Sequence, residues 1–376
     1  MTFRVLLIGG GSGGHVYPLV AVANALKRQG VKAGMAVEVK LMGDGPFVKR
    51  AAEENGLSAT SLIAPKLRRY TSVANATDWL KAPFALIQVL WKLFWYMPDA
   101  VFAKGGYTSA FPALVARLYA IPLYLHESDS VPGLTNKVLA KRARLVFTAF
   151  PSATQALSAY PTKEVGNPIR RGLAGVEKTK ALVAFKLVSD KPTVLILGGS
   201  QGARQINDVI LDGLVEMVNK GYQIIHQCGD AHYAALSDEV EKIVSEGGEA
   251  YAQAVAERYR LYPFLDQDEL ATAYAACDVA VTRASANVLT ELAALGKPMV
   301  MVPLASAAQN HQFHNASALI AYGNILIEGA NLTPHLLMAE LAKLLKPETH
   351  QKVSEAERAF AHLDAADVIA RTILNV

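Results

Sequence analysis

Short apolar runs alternate along the whole chain with longer stretches in which apolar positions recur every three or four residues. The runs fall at 3–8, 36–42, 99–103, 121–125 and 144–149, then at 193–197, 222–227, 278–282 and 298–302. Uninterrupted runs of this length predict strands buried on both faces, and the 3.6-residue period between them predicts helices. Strand then helix, repeated, is the signature of parallel βαβ units, so an α/β fold is expected. The helix after the first strand carries Val16, Leu19, Val20, Ala23 and Leu26 on one side. Pro18 is expected in its first turn, and Lys27, Arg28 and Gly30 are expected to close it. The stretch 350–375 reads as a last helix, with Val353, Phe360, Leu363, Val368 and Ile369 as its apolar positions.

The length, 376 residues, exceeds what one core comfortably organises and suits two domains. They are expected to join near Val165–Leu173, with Gly166-Asn167-Pro168 as hinge. Hydrophobic residues make up 52% and charged residues 19%, enough to fill two interiors and leave apolar surface. Cys228 and Cys277 stand in no metal-ligand or redox spacing, which predicts a reduced chain without disulfides. No signal peptide is visible, and no apolar run reaches the roughly 18 residues that span a bilayer, so a soluble or peripheral protein is expected. Charge is uneven. Residues 1–165 hold 19 Lys and Arg against 9 Asp and Glu, whereas residues 166–376 hold 18 against 24. A basic first half attracts an anionic ligand or anionic lipid headgroups; a merely solvated basic face is the plainer reading.

Candidate chemistry gathers where the predicted strands end, the edge at which open α/β sheets bind ligands. Gly9-Gly10-Gly11-Ser12-Gly13-Gly14 follows the first strand and His15 follows the glycines. The pattern satisfies a dinucleotide fingerprint, but Glu38 falls within the second strand instead of after it, a poor fit to an NAD-dependent oxidoreductase. His15 sits at a helix start, where positive charge is disfavoured; a neutral imidazole there suits a general base, and a histidine that only caps backbone is the alternative. A second loop, Gly198-Gly199-Ser200-Gln201-Gly202, follows the run 193–197, and its amides and the Ser200 hydroxyl can cradle a diphosphate. Glu291 suits a ribose diol, since a carboxylate accepts from two neighbouring hydroxyls. The amides and imidazoles of Gln309–Asn315 suit sugar hydroxyls. In the first half, Lys104–Ser109, His126–Asp129 and Pro132–Lys137 follow strands. Segment 79–97 is a helix with a narrow polar stripe, Lys81, Gln88 and Lys92, and holds all three tryptophans. Two readings stand for it: an interfacial helix with Lys66, Arg68 and Arg69 reading lipid phosphates, or a buried βαβ helix.

The segments GGGSGGHVYPLVAVANAL, KLRRY, KGGYTSAFPALVA, HESDSVPGLTNK, GNPIR, LGGSQGAR, PFLDQDELATAYAACDVAVTRA, TELAALGKP and HQFHNA, in this order, closely resemble the MurG family of bacterial N-acetylglucosaminyltransferases, which convert lipid I to lipid II in peptidoglycan synthesis. The resemblance covers nearly the whole chain. It implies a GT-B fold, two Rossmann-like domains with parallel sheets facing a cleft. Residues 1–165 would form an acceptor and membrane-facing domain, 166–345 a UDP-sugar domain, and 346–376 a helix returning to the first. Carried over by motif, His15 is the general base. Ser12, Gly13, Gly14 and Asp129 meet the donor, Arg170 and Ser200 its phosphates, Leu265 the uracil through its backbone, Glu291 the ribose, and His311 and Gln312 the N-acetylglucosamine hydroxyls. Tyr107, His126, Glu127 and Asn136 match acceptor-side motifs. The implied partners are UDP-N-acetylglucosamine, a lipid-linked muramyl-pentapeptide acceptor and an anionic membrane at the cytoplasmic face of the inner membrane, with no nucleic acid, metal or cofactor. Two departures stand out: Arg283-Ala284-Ser285-Ala286 replaces an Arg-Ser-Gly-Ala pattern, which questions the local backbone contact, and Asp129, if ionised, cannot donate to a sugar hydroxyl. The competing readings are a UDP-N-acetylglucosamine 2-epimerase-like isomerase, another GT-B glycolipid transferase, and a non-catalytic sensor.

Overall fold

The computed structural model describes residues 2–10, 13–65, 73–169, 172–173, 175–199, 202–304 and 310–376. Residues 1–170 with 362–376 form one compact unit and residues 171–361 a second. Ser12, Arg170 and Ser200, together with Lys66, Arg68, Arg69 and Gln309, lie outside the described residues.

The first unit holds a parallel sheet of β1 (Thr2–Ile8), β2 (Ala36–Gly43), β3 (Ser58–Ser61), β4 (Ala100–Ala103), β5 (Leu123–Glu127), β6 (Leu145–Thr148) and β7 (Thr162–Glu164), in spatial order β3-β2-β1-β4-β5-β6-β7. Its helices are α1 (Gly13–Lys32), α2 (Pro46–Glu54), α3 (Val73–Tyr96), α4 (Ala110–Leu118), α5 (Leu134–Ala140) and α6 (Pro151–Ala156). The period-2 geometry of β1 divides its side chains between two cores. Val5 and Leu7 pack with α1 and α2, while Leu6 and Ile8 pack with Val89 and Leu93 of α3 and with Ala113 and Ala116 of α4.

The second unit repeats the plan with β8 (Thr193–Leu197), β9 (Gln223–Gln227), β10 (Tyr259–Tyr262), β11 (Val279–Thr282), β12 (Met299–Met301) and β13 (Ile325–Leu326), in order β10-β9-β8-β11-β12-β13. Around it lie α7 (Lys178–Ala184), α8 (Arg204–Asn219), α9 (Asp230–Gly247), α10 (Glu249–Arg258), α11 (Gln267–Ala276), α12 (Ala286–Ala294), α13 (His311–Ile320), α14 (Pro334–Leu344) and α15 (Pro347–Phe360). The last helix, α16 (Ala365–Leu374), is again part of the first unit.

Several local expectations are corrected. Pro18 lies five residues inside α1, not in its first turn, and so removes one donor from the helical ladder. Gly30 does not close that helix, which runs on to Lys32 and turns at Gly34 with φ of 65°. Gly30 serves packing instead, because a Cβ there would lie 2.3 Å from Val37 Cγ2. The stretch 350–375 is two helices with a break at 361–364. Phe360 ends α15 against Tyr322 in the second unit, whereas Ile369, Ala370 and Ile373 of α16 pack into the α1 core. Asp367 fixes α16 there by accepting from Arg28 Nη2 at 3.0 Å and Gln29 Nε2 at 2.8 Å.

One buried group predicts a pH effect on stability. Glu357 of α15 is fully buried, and Asn324 beside it accepts from Met299 N at Oδ1 and donates from Nδ2 to Leu319 O. Burial pushes its carboxyl up to about 8 from the ordinary 4.5. The folded state therefore binds a proton that the unfolded chain releases, so this group's stability is complete below about pH 4.5 and is lost as pH rises through about 8. Glu357→Gln should raise thermal stability by on the order of 1–3 kcal/mol near pH 9 and by little near pH 5. Equal melting shifts at both pH values would contradict the assignment.

Candidate active site

In both sheets the strand order reverses direction at the first strand of the unit, between β1 and β4 and between β8 and β11. Crevices at such switch points, outside the carboxyl ends of the strands, are where ligands bind in open α/β sheets.

In the first unit, α1 starts at Gly13 directly after the glycine loop, and His15 stands in its first turn. His15 is half-buried; its Nδ1 is fully buried and has no partner among the described residues. A methyl group on Gly106 would lie 3.9 Å from His15 Cε1 and 4.0 Å from its Nε2, so the imidazole faces the bare glycine turn after β4. Burial lowers the proton affinity of His15 first and the charge of Lys104 lowers it second, while Asp129 and Asp44 oppose them. The neutral imidazole expected at a helix start is thus favoured chiefly by desolvation.

Four further residues meet beside it. Tyr107 OH donates to Asp44 Oδ2, and Gly10 abuts Asp44, whose Oδ1 is buried without a partner among the described residues. Glu127 closes β5 and accepts three bonds: from Asp129 N at 3.1 Å, Gly133 N at 2.9 Å and Asn136 Nδ2 at 2.9 Å. Asn136 Nδ2 also reaches His126 O at 3.2 Å, and its Oδ1 is buried next to Gly105 with no partner among the described residues. Burial and the Asp129 charge raise Glu127 to about 7 in spite of those donors. His126 donates from Nε2 to Gly166 O at 3.0 Å, and burial holds it well below the usual imidazole range. The expected acceptor-side residues Tyr107, His126, Glu127 and Asn136 are therefore brought into one cluster with His15 and Asp129. Asp44 was not singled out, and Lys104 was noted only within the segment Lys104–Ser109, with no role of its own. Each carried a signal, an acid just past an apolar strand and a lysine ending the buried run Ala100–Ala103.

In the second unit, Gly198 leaves β8 and folds back so tightly that a Cβ would lie 2.7 Å from Ala203 N. Arg283, after β11, props this loop from beneath, donating from Nη1 to Gly202 O at 3.0 Å. Leu265 is buried, and its N–H already donates to Gln227 Oε1 at 3.2 Å; Gln227 Nε2 in turn reaches Gly199 O at 3.2 Å. Gln227, also missed, thereby ties the Leu265 backbone to the glycine loop. Glu291 is buried in α12 and accepts from Tyr274 OH at 3.0 Å. His311 begins α13 with its Nδ1 buried and without a partner among the described residues, and Gln312 Oε1 accepts from Leu304 N at 2.8 Å. Asn315 of the same helix donates to Ala284 O at 3.3 Å, linking α13 to the turn before α12. Ser285 caps α12 with φ of −75° and ψ of 133°, open to any residue, so the backbone there does not require glycine. Gly13, Gly14 and Asp129, expected at the donor, belong to the first unit; Leu265, Glu291, His311 and Gln312 belong to the second.

Two Rossmann-like units of this construction define a GT-B glycosyltransferase fold. The glycosyltransferase family 28 N-terminal domain matches residues 5–148 and the family 28 C-terminal domain matches residues 193–371. Over 99% of both chains, the sequence is 33% identical to a protein of Syntrophotalea carbinolica, the UDP-N-acetylglucosamine–N-acetylmuramyl-(pentapeptide) pyrophosphoryl-undecaprenol N-acetylglucosamine transferase. The crystal structure of Acinetobacter baumannii MurG superimposes over 100% of both chains with a TM-score of 0.71 and 26% identity. A UDP-GlcNAc 2-epimerase from Neisseria meningitidis bound to UDP-GlcNAc gives a TM-score of 0.70 over 100% of both chains, but at 13% identity this is a likeness of fold alone. The chain belongs to the MurG family of glycosyltransferases.

Proposed function

We propose that this protein transfers N-acetylglucosamine from UDP-N-acetylglucosamine to lipid I, giving lipid II, with the muramyl 4-hydroxyl attacking the anomeric carbon and inverting it. The observation that carries this reading is the match to both family 28 halves in order, alongside full-length identity to transferases of that name. In the reaction the acceptor oxygen forms a bond to the anomeric carbon as the bond from that carbon to the diphosphate oxygen breaks. UDP departs with the electron pair, and the hydroxyl proton passes to His15. The neutral, half-buried imidazole with a bare glycine turn in front of it suits that role. Gly13, Gly14 and Asp129 are assigned to the donor, with Ser12, Arg170 and Ser200 at the diphosphate. Leu265 is assigned to uracil, Glu291 to ribose, and His311 and Gln312 to the sugar hydroxyls. Tyr107, His126, Glu127 and Asn136 frame the acceptor. Radiolabelled sugar should pass from UDP-N-acetylglucosamine to a lipid I analogue, giving a β-linked product. Epimerised UDP-sugar formed without acceptor would favour the isomerase reading.

The same proposal places the protein peripherally on an anionic membrane at the cytoplasmic face of the inner membrane. No helix among the described residues is long and apolar enough to cross a bilayer. On α3 two of the three polar-stripe residues turn inward: Gln88 accepts from Ile63 N at 2.8 Å, and Lys92 reaches Thr60 Oγ1 at 2.7 Å. Ala85, Val89 and Leu93 are buried, whereas Phe84, Ile87, Trp91 and Trp95 are each more than 60% exposed. Leu118 of α4 and Val138 of α5 are also exposed, as are Lys81, Arg117, Lys137 and Lys141. Apolar groups flanked by cations fit a headgroup boundary. Serine at Phe84, Trp91 and Trp95 should weaken binding to phosphatidylglycerol vesicles by roughly tenfold for each side chain. Sedimentation unchanged by all three substitutions would contradict this surface.

A further inference from the structure

Lys104 directly follows β4 and is only 2% exposed, and among the described residues no carboxylate forms an ion pair with it. Its Nζ donates to His126 Nδ1 at 3.0 Å, to Asn167 Oδ1 at 3.0 Å and to Ser128 Oγ. In the charged form its three hydrogens thus meet three neutral acceptors. The acceptors come from separate places: the inner part of β5, the turn after it, and the segment that leaves the first unit before residue 171. His126 closes the frame, because accepting a hydrogen bond from Lys104 at Nδ1 leaves its Nε2–H to donate to Gly166 O at 3.0 Å. Gly166, with φ of 79°, is itself pressed against His362, where a Cβ would lie 2.5 Å from His362 Cβ. Gly166 and His362, both of the first unit, therefore pack together beside the segment that Lys104 holds.

We propose that Lys104 is a positioning residue for the transfer reaction, its buried ammonium tying His126, Ser128 and Asn167 into one frame that registers the β5 end and the connecting segment against the glycine turn facing His15. This rests on the transferase reading above. A buried cation without an ion-pair partner is expensive to keep for structure alone, since an apolar side chain of similar volume would avoid the desolvation. Burial lowers Lys104 to about 7, opposed by Glu127 and Asp129. Its charge in turn disfavours the protonated forms of His126 and His15, and Asp129 and Asp44 act on His15 in the opposite sense. Removing the charge should therefore raise the proton affinity of His15.

The test compares wild type with Lys104→Met and with Lys104→Gln, the latter keeping one polar donor without the charge. Ring titrations of His15 by NMR on the resting protein should move to higher pH in both variants. Turnover onto the lipid I analogue should fall roughly 10- to 100-fold, as misplacement of reacting groups by about an ångström does. The acid limb of kcat/KM should move in the same direction as the His15 ring. In wild type, carbon-13 lysine spectra should show one side chain titrating near 7, a readout that needs no substitution. An unmoved His15 titration, or turnover equal to wild type in both variants, overturns the proposal. The ring titration does not depend on which reaction the protein performs, so a protein that transfers no sugar yet shows the His15 shift refutes the transferase reading while the Lys104 frame stands.

Discussion

His15→Ala is expected to lower kcat for sugar transfer by about 10²–10⁴, the range contributed by a positioned general base. Donor affinity should change little, because the loss falls on proton transfer in the transition state. The geometry motivates this: Nδ1 is buried with no partner among the described residues, the other edge of the ring faces Gly106, and Asp44 and Asp129 lie near enough for their charges to reach it. The pH dependence follows with a definite sign. The imidazole acts only when neutral, and burial with the Lys104 charge lowers it from 6.5, so the acid limb of kcat/KM should fall below 6.5. An acid limb above that value would contradict the environment described. A His15→Ala rate near wild type would move the base to Asp44 or Asp129. Glu127 is the weaker substitute, because both its oxygens are already engaged by three N–H donors.

The contrast between legible and hidden features follows from what each element does in the fold. Central strands such as β1, β4, β8 and β11 are sandwiched between helices and read as continuous apolar runs, so the sequence marks them plainly. Edge and near-edge strands are half-solvated or very short. Ser58–Ser61, Thr162–Glu164, Tyr259–Tyr262 and Ile325–Leu326 offer no apolar run of ordinary length and escape notice. Glycine loops and the histidine after them are local signals. Lys104, Asp44 and Gln227 are not, because their importance comes from partners dozens of residues away, such as Asn167, Tyr107 and Leu265. The polar stripe of α3 shows the same limit from the other side. Its spacing reveals that Gln88 and Lys92 share a face, but only the neighbouring β3 edge determines that this face turns inward and leaves Trp91 and Trp95 outside.

Glu291→Ala should weaken UDP binding by roughly 10- to 150-fold, since hydrogen bonds to a charged group are worth about 1.5–3 kcal/mol. A lone acid on a helix is ordinarily solvated, but Glu291 is 8% exposed and takes Tyr274 OH at 3.0 Å, which orients the carboxylate. A ribose diol would present two donors to one carboxylate, a match of geometry and charge that a phosphate or an N-acetyl group cannot supply. The loss should therefore be equal for UDP and UDP-N-acetylglucosamine in calorimetry, because both carry the ribose. Turnover at saturating donor should remain close to wild type, since the contact is made equally in ground and transition states. Tyr274→Phe keeps the ring and removes only the orienting hydroxyl, so it should give a smaller loss in the same direction. Unchanged UDP affinity in Glu291→Ala, with the protein still folded, would remove Glu291 from the donor site.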